Sequence, residues 1–350
     1  SFPADQRFRR VADEVGAYLD FTNPETLDWW KANVKSALLE YGMASTWNDN
    51  NEFEVWTPDA FAHGFGKKAP IREAKVLHTM LMMRASREAQ LEFAPQRRPF
   101  LVSRSGGVGM QRYVQTWSGD NYTSWETLRY NLKMGLGLAL SGVSNIGHDI
   151  GGFAGPAPSP ELLVRWVAFG VFMPRFSIHS WNDDKTVNEP WMYPQVTAQI
   201  ASLIKLRYRL IPYYYSLAHR AQLFGDPILA PLVYYFPKDP LVRTMAREKM
   251  LGPYLLVAAA TNNSKSEIDV YLPRGTWFDW YSQSIHHSRG ELLRNVPLYH
   301  DGHFRLPVFA KAGGVFPIMN VPDATIDAFG SSPGRRELSM RIYPSPSPSE

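Results

Sequence analysis

Thr46-Trp47-Asn48-Asp49-Asn50-Asn51-Glu52 sets an aromatic ring beside two carboxylates and three amides, shortly after the apolar run Ala37-Leu38-Leu39. A second knot of the same kind, Trp117-Ser118-Gly119-Asp120-Asn121, follows further along. Tyr41-Gly42-Met43-Ala44-Ser45-Thr46-Trp47 reads as a helix exit and then a strand, so Asp49 falls just past a strand's C-terminal end. Aromatic rings cover the apolar faces of a sugar, amides and carboxylates read its hydroxyls, and a carboxylate pair can cut a glycosidic bond. The two knots together imply a carbohydrate site.

Around them, helical patterns alternate with short apolar runs, which predicts βα units and a mostly parallel sheet. Asn23-Pro24-Glu25 has the form of a helix start, with a side-chain cap, a first-turn proline and an acid near the positive end of the dipole. Leu27, Trp30, Val34 and Leu38 then keep one apolar face. Pro70 to Glu92 predicts a long helix with Val76, Met80 and Met83 on one side, methionines that read as core filler. Arg98 to Arg104 is the next strand, with Arg104 at its end. Thr123-Ser124-Trp125-Glu126 has the pattern of a capping box, so a helix starts just after Asp120. Leu138 to Ile146 reads as a strand ending in Gly147-His148-Asp149. Ser159-Pro160-Glu161 starts a helix carrying Leu163, Trp166 and Val167. Val171-Phe172-Met173 leads to Arg175 and His179. A single helix is expected over 194–222, and Ile228 to Phe236 as the last barrel-type strand. Barrel enzymes keep their chemistry at the C-terminal ends of parallel strands. Asp49, Arg104, Asp120, Asp149 and His179 all fall there. After residue 245 short strands between turn residues, among them Leu255-Leu256-Val257 and Trp277-Phe278-Asp279-Trp280, predict an antiparallel β domain.

Composition narrows the class. Of 350 residues, 45% are hydrophobic and 20% charged, a globular balance and not a disordered one. Aromatic content of 13% fits sugar binding and fits a ring-rich core equally. The net charge of +4 comes from scattered basic residues, so no nucleic-acid stripe is present. With no cysteine there are no disulfides and no thiolate ligands or nucleophiles. No apolar run reaches membrane-spanning length. The chain begins at Ser1 without a signal peptide or initiator Met, which reads as an excerpt of a longer protein.

Each residue also has a plainer reading. Asp49 alone fits a turn, and a calcium loop would need Gly where Glu54 stands. Asp120 fits an acid before a helix, Arg104 a structural ion-pair partner, Asp149 a loop carboxylate and His179 a core histidine. Gly106-Gly107-Val108-Gly109 matches neither GxxxxGK[ST] nor GxGxxG, and neither HExxH nor GxSxG occurs. No cofactor and no metal are expected.

These residues, in this order, resemble glycoside hydrolase family 31, the α-glucosidase and α-xylosidase family. Trp47-Asn48-Asp49-Asn50-Asn51-Glu52 matches the W-x-D-x-N-E segment that carries its nucleophile. Trp117-Ser118-Gly119-Asp120 matches the W-x-G-D segment of its acid/base. Arg104-Ser105 matches its sugar-binding R-S pair, and Gly147-His148-Asp149-Ile150-Gly151-Gly152-Phe153 its next substrate loop. His179 falls where the family has a sugar-binding histidine. The likeness runs from Tyr18 to Pro317. Two positions depart from it: many relatives have Met where Asn50 stands and Pro where Phe53 stands.

The resemblance implies an α/β fold, a (β/α)8 TIM barrel incomplete in this chain, followed by an antiparallel β-sandwich domain. The expected divisions are 1–245 for the C-terminal portion of the catalytic barrel, 246–335 for the sandwich and 336–350 for a flexible tail. Family members carry an N-terminal β domain and further barrel strands before this point. The implied activity is that of a retaining α-glycosidase, an α-glucosidase first of all, acting on an oligosaccharide or small α-glycoside. Asp49 would be the nucleophile and Asp120 the acid/base, facing one shared cavity. Trp47, Arg104, Trp117, Asp149 and His179 would bind substrate. An α-xylosidase or other specialised α-glycosidase, a transglycosylase and a non-catalytic sugar-binding protein remain as alternatives. No nucleic-acid or membrane partner is expected, and oligomeric state and compartment are left open.

Overall fold

The computed structural model describes residues 18–55, 57, 59–320 and 337–345. Residues 1–17, 321–336 and 346–350, parts of the expected barrel, sandwich and tail, lie outside the described residues. Two compact units divide the chain, Ser1–Trp117 and Ser118–Glu350.

In the first unit, helix α1 (Pro24–Ala37) starts at the predicted signal. Asn23 is extended, and its side chain accepts from the Glu25 N–H at 3.1 Å, which satisfies one of the donors a helix start leaves without a partner. Helix α2 (Ile71–Phe93) is the long helix expected from Pro70 on. Met83 is fully buried, but Val76 is 61% exposed, so the expected stripe does not hold along its length. A β-carbon added at Gly107 would lie 3.1 Å from Val76 Cγ1, so the loop beside Val76 has no side chain with which to cover it.

Strands β1 (Ser45–Asn48), β2 (Phe100–Ser103) and β3 (Gln115–Trp117) run parallel, with Asn48 opposite Ser103 and Ser103 opposite Thr116. Polar side chains of α2 grip these strands. Gln90 donates to Thr46 Oγ1 at 2.9 Å and accepts from the Phe100 N–H at 2.9 Å. Ser86 donates to Asn48 Oδ1 at 3.1 Å and accepts from Trp30 Nε1 at 2.9 Å. Buried polar groups are costly without partners, so these bonds fix the helix against the strand ends.

In the second unit, β4 (Ile146–Ile150) and β5 (Arg175–Ile178) are parallel, with Asp149 opposite Ser177. Helix α3 (Trp125–Leu140) precedes β4, and α4 (Pro160–Val171) joins β4 to β5. Every residue of α4 from Leu162 to Val171 is buried, and each large apolar side chain so covered contributes about 1.5–3 kcal/mol. The β/α alternation is that of a barrel. Among the described residues these five parallel strands do not make a closed eight-stranded one.

Three predicted elements are corrected here. Leu138 is not the start of a strand. It belongs to the last turn of α3, and β4 begins only after the turn at Gly142 (φ 85). A short apolar run does not by itself distinguish the end of a helix from a strand. The helix expected over 194–222 is two, α5 (Pro194–Arg209) and α6 (Ile211–Phe224). Pro212 lacks an N–H and its ring crowds the carbonyl four residues back, so it sits in the first turn of a new helix. Ile228 to Phe236 is not a barrel strand. Only Leu229–Pro231 (β6) is extended, and it pairs antiparallel with β7 (Glu248–Leu251) before a helical turn at Leu232–Tyr235.

The rest is the antiparallel β domain. Strands β8 (Leu255–Ala258), β9 (Glu267–Leu272), β10 (Gly275–Asp279), β11 (Ile285–Ser288), β12 (Glu291–Pro297) and β13 (Val308–Lys311) follow in sequence. One sheet has the order β11-β10-β13-β8-β7-β6, and β9 pairs with β12. Val270 and Leu272 of β9 share one core with Met250, Leu256, Trp277 and Phe309 of the larger sheet, so the two sheets face each other. Leu338–Ile342, expected within a flexible tail, is β15, paired with β14 (Val315–Met319). The Pro/Ser-rich sequence begins only at Pro344, and the residues before it alternate apolar and polar as a strand does.

Candidate active site

In the first unit, the end of β1 carries Asp49 and the end of β2 carries Arg104, as the sequence predicts. The Arg104 N–H donates to the Asn48 carbonyl at 3.0 Å, which continues the ladder past both strands. Arg104 then turns its guanidinium onto the loop after β1. Nε donates to Glu52 Oε1 at 2.7 Å and Nη2 to Glu52 Oε2 at 3.1 Å. Nη1 stands 3.0 Å from Asp49 Oδ1, and Nη2 also donates to Asn50 Oδ1. The planar fork matches a carboxylate in two places at once, so one cation orders three side chains of this loop.

Asn51 ties the same loop from beneath. Its Nδ2 donates to Ser103 Oγ at 2.8 Å, and its Oδ1 accepts from the Ser105 N–H at 2.9 Å. Asn50 and Phe53 have φ of 51° and 49°. Asn tolerates that region, whereas a bulky Phe there is a backbone outlier. Phe53 is buried, edge-on to Phe21 at 5.8 Å and 5.1 Å from the His78 ring. A proline cannot take φ 49°, so the backbone at Phe53 follows a path closed to any relative that has proline at this position. Trp47 is 44% exposed and packs edge-on against buried Trp117, ring centroids 4.8 Å apart. The first unit therefore brings Trp47, Asp49, Arg104 and Trp117 into one neighbourhood.

The second unit holds Asp120, Asp149 and His179. Asp120 is exposed in the loop after Gly119 (φ 76), with Ser124 capping α3 just beyond it. The cap is a residue later than the predicted capping box implied: Ser124 Oγ accepts from the Thr127 N–H at 3.0 Å. Thr123 instead donates to the Gly151 carbonyl at 3.1 Å. The loop of Asp120 and the loop after β4 are sewn together. The Asn121 carbonyl accepts from the Phe153 and Ala154 N–H groups at 2.7 and 2.9 Å, and the Thr123 N–H donates to the Ala154 carbonyl at 2.8 Å. The approach is so close that a β-carbon at Gly152 (φ 90) would stand 2.3 Å from Thr123 Oγ1.

Asp149 is wholly buried on β4, with Oδ1 3.7 Å from Arg175 Nη1. Burial lowers the Arg175 pKa, and the Asp149 charge opposes that shift. His179 is exposed past the end of β5, its ring 5.2 Å from that of Phe153. The Trp181 N–H donates to the Phe153 carbonyl at 2.6 Å, so the loops after β4 and β5 are also joined. Sequence reading gave no separate role to Glu52, Arg175 and His148. Their signal lay in pairings between distant segments, although Glu52 stands inside the first motif. Among the described residues no three His, Cys, Asp or Glu side chains gather to hold a metal ion, and no helix is long and apolar enough to cross a membrane.

Acids, an arginine and indole rings at the carboxyl ends of parallel strands follow the arrangement in which barrel enzymes keep their chemistry. Residues 3–217 match the glycosyl hydrolases family 31 TIM-barrel domain, and residues 225–316 match the glycosyl hydrolase family 31 C-terminal domain. The chain belongs to glycoside hydrolase family 31. Neutral alpha-glucosidase C of Homo sapiens is 33% identical over 317 residues, 87% of this chain and 34% of that protein. A family 31 dextranase of Flavobacterium johnsoniae, complexed with glucose, has a TM-score of 0.81 at 27% identity, covering 93% of this chain and 40% of that one. A family 31 alpha-xylosidase from a soil metagenome, complexed with xylose, has a TM-score of 0.74 at 26% identity, over 84% and 46%. The chain thus spans 34% of the length of the human relative.

Proposed function

We propose that the protein bearing this chain is a retaining α-glycosidase, with α-glucosides as its substrates, working through a covalent glycosyl-enzyme. The observation that carries this reading is the Arg104-held loop, which presents Asp49 at the end of β1 inside the family's nucleophile motif. Asp49 attacks the anomeric carbon as a carboxylate. The glycosidic bond breaks, and the leaving oxygen takes the proton of the Asp120 carboxyl. Asp120, now a carboxylate, takes a proton from water. The water oxygen displaces Asp49 from the same carbon and frees the sugar with its original α configuration. Exposed Trp47 and His179 meet the sugar in this reading, with Trp117 backing Trp47 and the Asp149–Arg175 pair beneath the loop after β4. The human relative's name and the glucose in the dextranase structure support glucose, while the xylosidase structure keeps a pentose as the alternative.

The test is a panel of nitrophenyl α-glycosides with the full-length protein, following by NMR which anomer forms first. The expected result is cleavage of the α-glucoside with the α anomer released first. A β anomer first, or silence toward every neutral α-glycoside, defeats the proposal. Asp120→Ala should lower kcat/KM on poor leaving groups by about 10²–10⁴-fold while largely sparing kcat/KM on activated aryl substrates, whose first step needs no acid. Equal losses on both would remove Asp120 from the acid role.

A further inference from the structure

One hydroxyl ties down the loop that carries Asp120. Ser118 Oγ accepts from Asn121 Nδ2 at 2.6 Å and lies 2.8 Å from His148 Nδ1 on β4. Of the residues flanking the Gly119-Asp120 pair, Asn121 bonds Ser118 and Ser118 reaches the imidazole. Ser118 Oγ has one proton and two lone pairs, so with Asn121 donating to it the serine still has its own proton to give to His148 Nδ1. That arrangement requires a neutral ring with its N–H on Nε2.

The surroundings suit such a ring. His148 is 2% exposed and stacks on Phe169 at 6.2 Å. Gly135 leaves room for it, since a β-carbon there would stand 3.2 Å from Nε2. Burial, then the Lys249 amine, bring the His148 pKa down to about 3; the Asn131 carbonyl pulls the other way and Arg175 adds to the lowering. Lys249 is itself fully buried, its Nζ 4.0 Å above the Phe169 ring.

We propose that His148 is a positioning residue which, through Ser118 and Asn121, fixes the Asp120 carboxyl on the line of proton transfer to the leaving oxygen. The proposal rests on the reading of Asp120 as the acid. Asp120 follows a glycine in the left-handed region and is exposed, and the backbone on its C-terminal side is bonded to the loop after β4 at Asn121 and Thr123. The relay adds a side-chain tie on both sides of the Gly119-Asp120 pair to those backbone bonds, and a misplacement of about 1 Å costs about 10²-fold in rate.

The experiment compares His148→Phe, His148→Asn, Ser118→Ala and the Phe/Ala double variant in the full-length protein. Two α-glycosides of one sugar are used, one with a sugar leaving group and one with an activated aryl group. Phe keeps the ring and removes the acceptor, whereas the Asn Oδ1 takes the place of Nδ1. The expected result is a loss of about 10²-fold in kcat/KM on the poor leaving group for His148→Phe and for Ser118→Ala. The activated substrate is spared, the double variant is no worse than either single one, and His148→Asn recovers most of the loss. Equal loss on both substrates, multiplied losses in the double variant, or no recovery with Asn overturns the proposal. Should His148→Phe fail to fold, Ser118→Ala carries the same comparison. A wild type inactive on both glycosides defeats the functional reading underneath, and an active wild type with unselective variants defeats the positioning role alone.

Discussion

Arg104 forks its guanidinium onto Glu52 at 2.7 and 3.1 Å while the same group stands 3.0 Å from Asp49. The arginine that the resemblance assigns to the sugar is thus held within the loop of the candidate nucleophile. Lys cannot reproduce the fork, and Gln in place of Glu52 keeps the shape without the charge. Arg104→Lys and Glu52→Gln should each lower kcat/KM by about 10²-fold, with the double variant close to either single one. Melting should hardly change, since a partly exposed ion pair contributes at most about 1 kcal/mol. Steady-state kinetics beside thermal melts check this, and multiplied losses would show two independent roles.

Gly152 is required by sterics and by backbone conformation together. At φ 90 any side chain is strained, and its β-carbon would meet Thr123 Oγ1 at 2.3 Å. Gly152→Ala should destabilise by about 1–3 kcal/mol, read as a lower urea midpoint, and should impair turnover by pushing the Asp120 loop away. An unchanged midpoint would mean that the two loops separate readily.

Lys249 makes stability depend on pH. Burial holds its pKa well below the usual lysine value, so the folded state binds fewer protons than the unfolded chain between the two values. Stability therefore falls as pH drops from the unfolded lysine pKa of about 10.4 toward the depressed folded value. Lys249→Met removes that cost. The variant should melt higher than wild type at pH 7, by about 1–2 °C for each kcal/mol regained, and the gap should close as pH rises toward 10. Melting curves across that range decide it, and a gap that widens with pH contradicts the assignment.

The end of β1 was legible because an apolar run that switches to amides and acids marks where a strand stops, as at Trp47 to Glu52. The start of α1 was legible because Asn23 and Pro24 act locally. Leu138 was misread because apolar character alone does not separate the last turn of a helix from the first residue of a strand. The break before Pro212 did have a local signal, a proline inside a helical run. The grip of Arg104 on Glu52 and the His148–Ser118 relay were not legible, since each joins segments far apart in sequence. The alternation at Leu338–Ile342 was masked by the Pro/Ser run that follows it.

The central claim is that Asp49 takes the sugar covalently, and trapping tests it most directly. The full-length protein is incubated with a fluorinated α-glycosyl fluoride that slows the second step, then digested and mapped by mass spectrometry. The expected result is one glycosyl adduct, on the Asp49 carboxylate, absent from Asp49→Ala. An adduct on any other side chain, or steady turnover with none, contradicts the account.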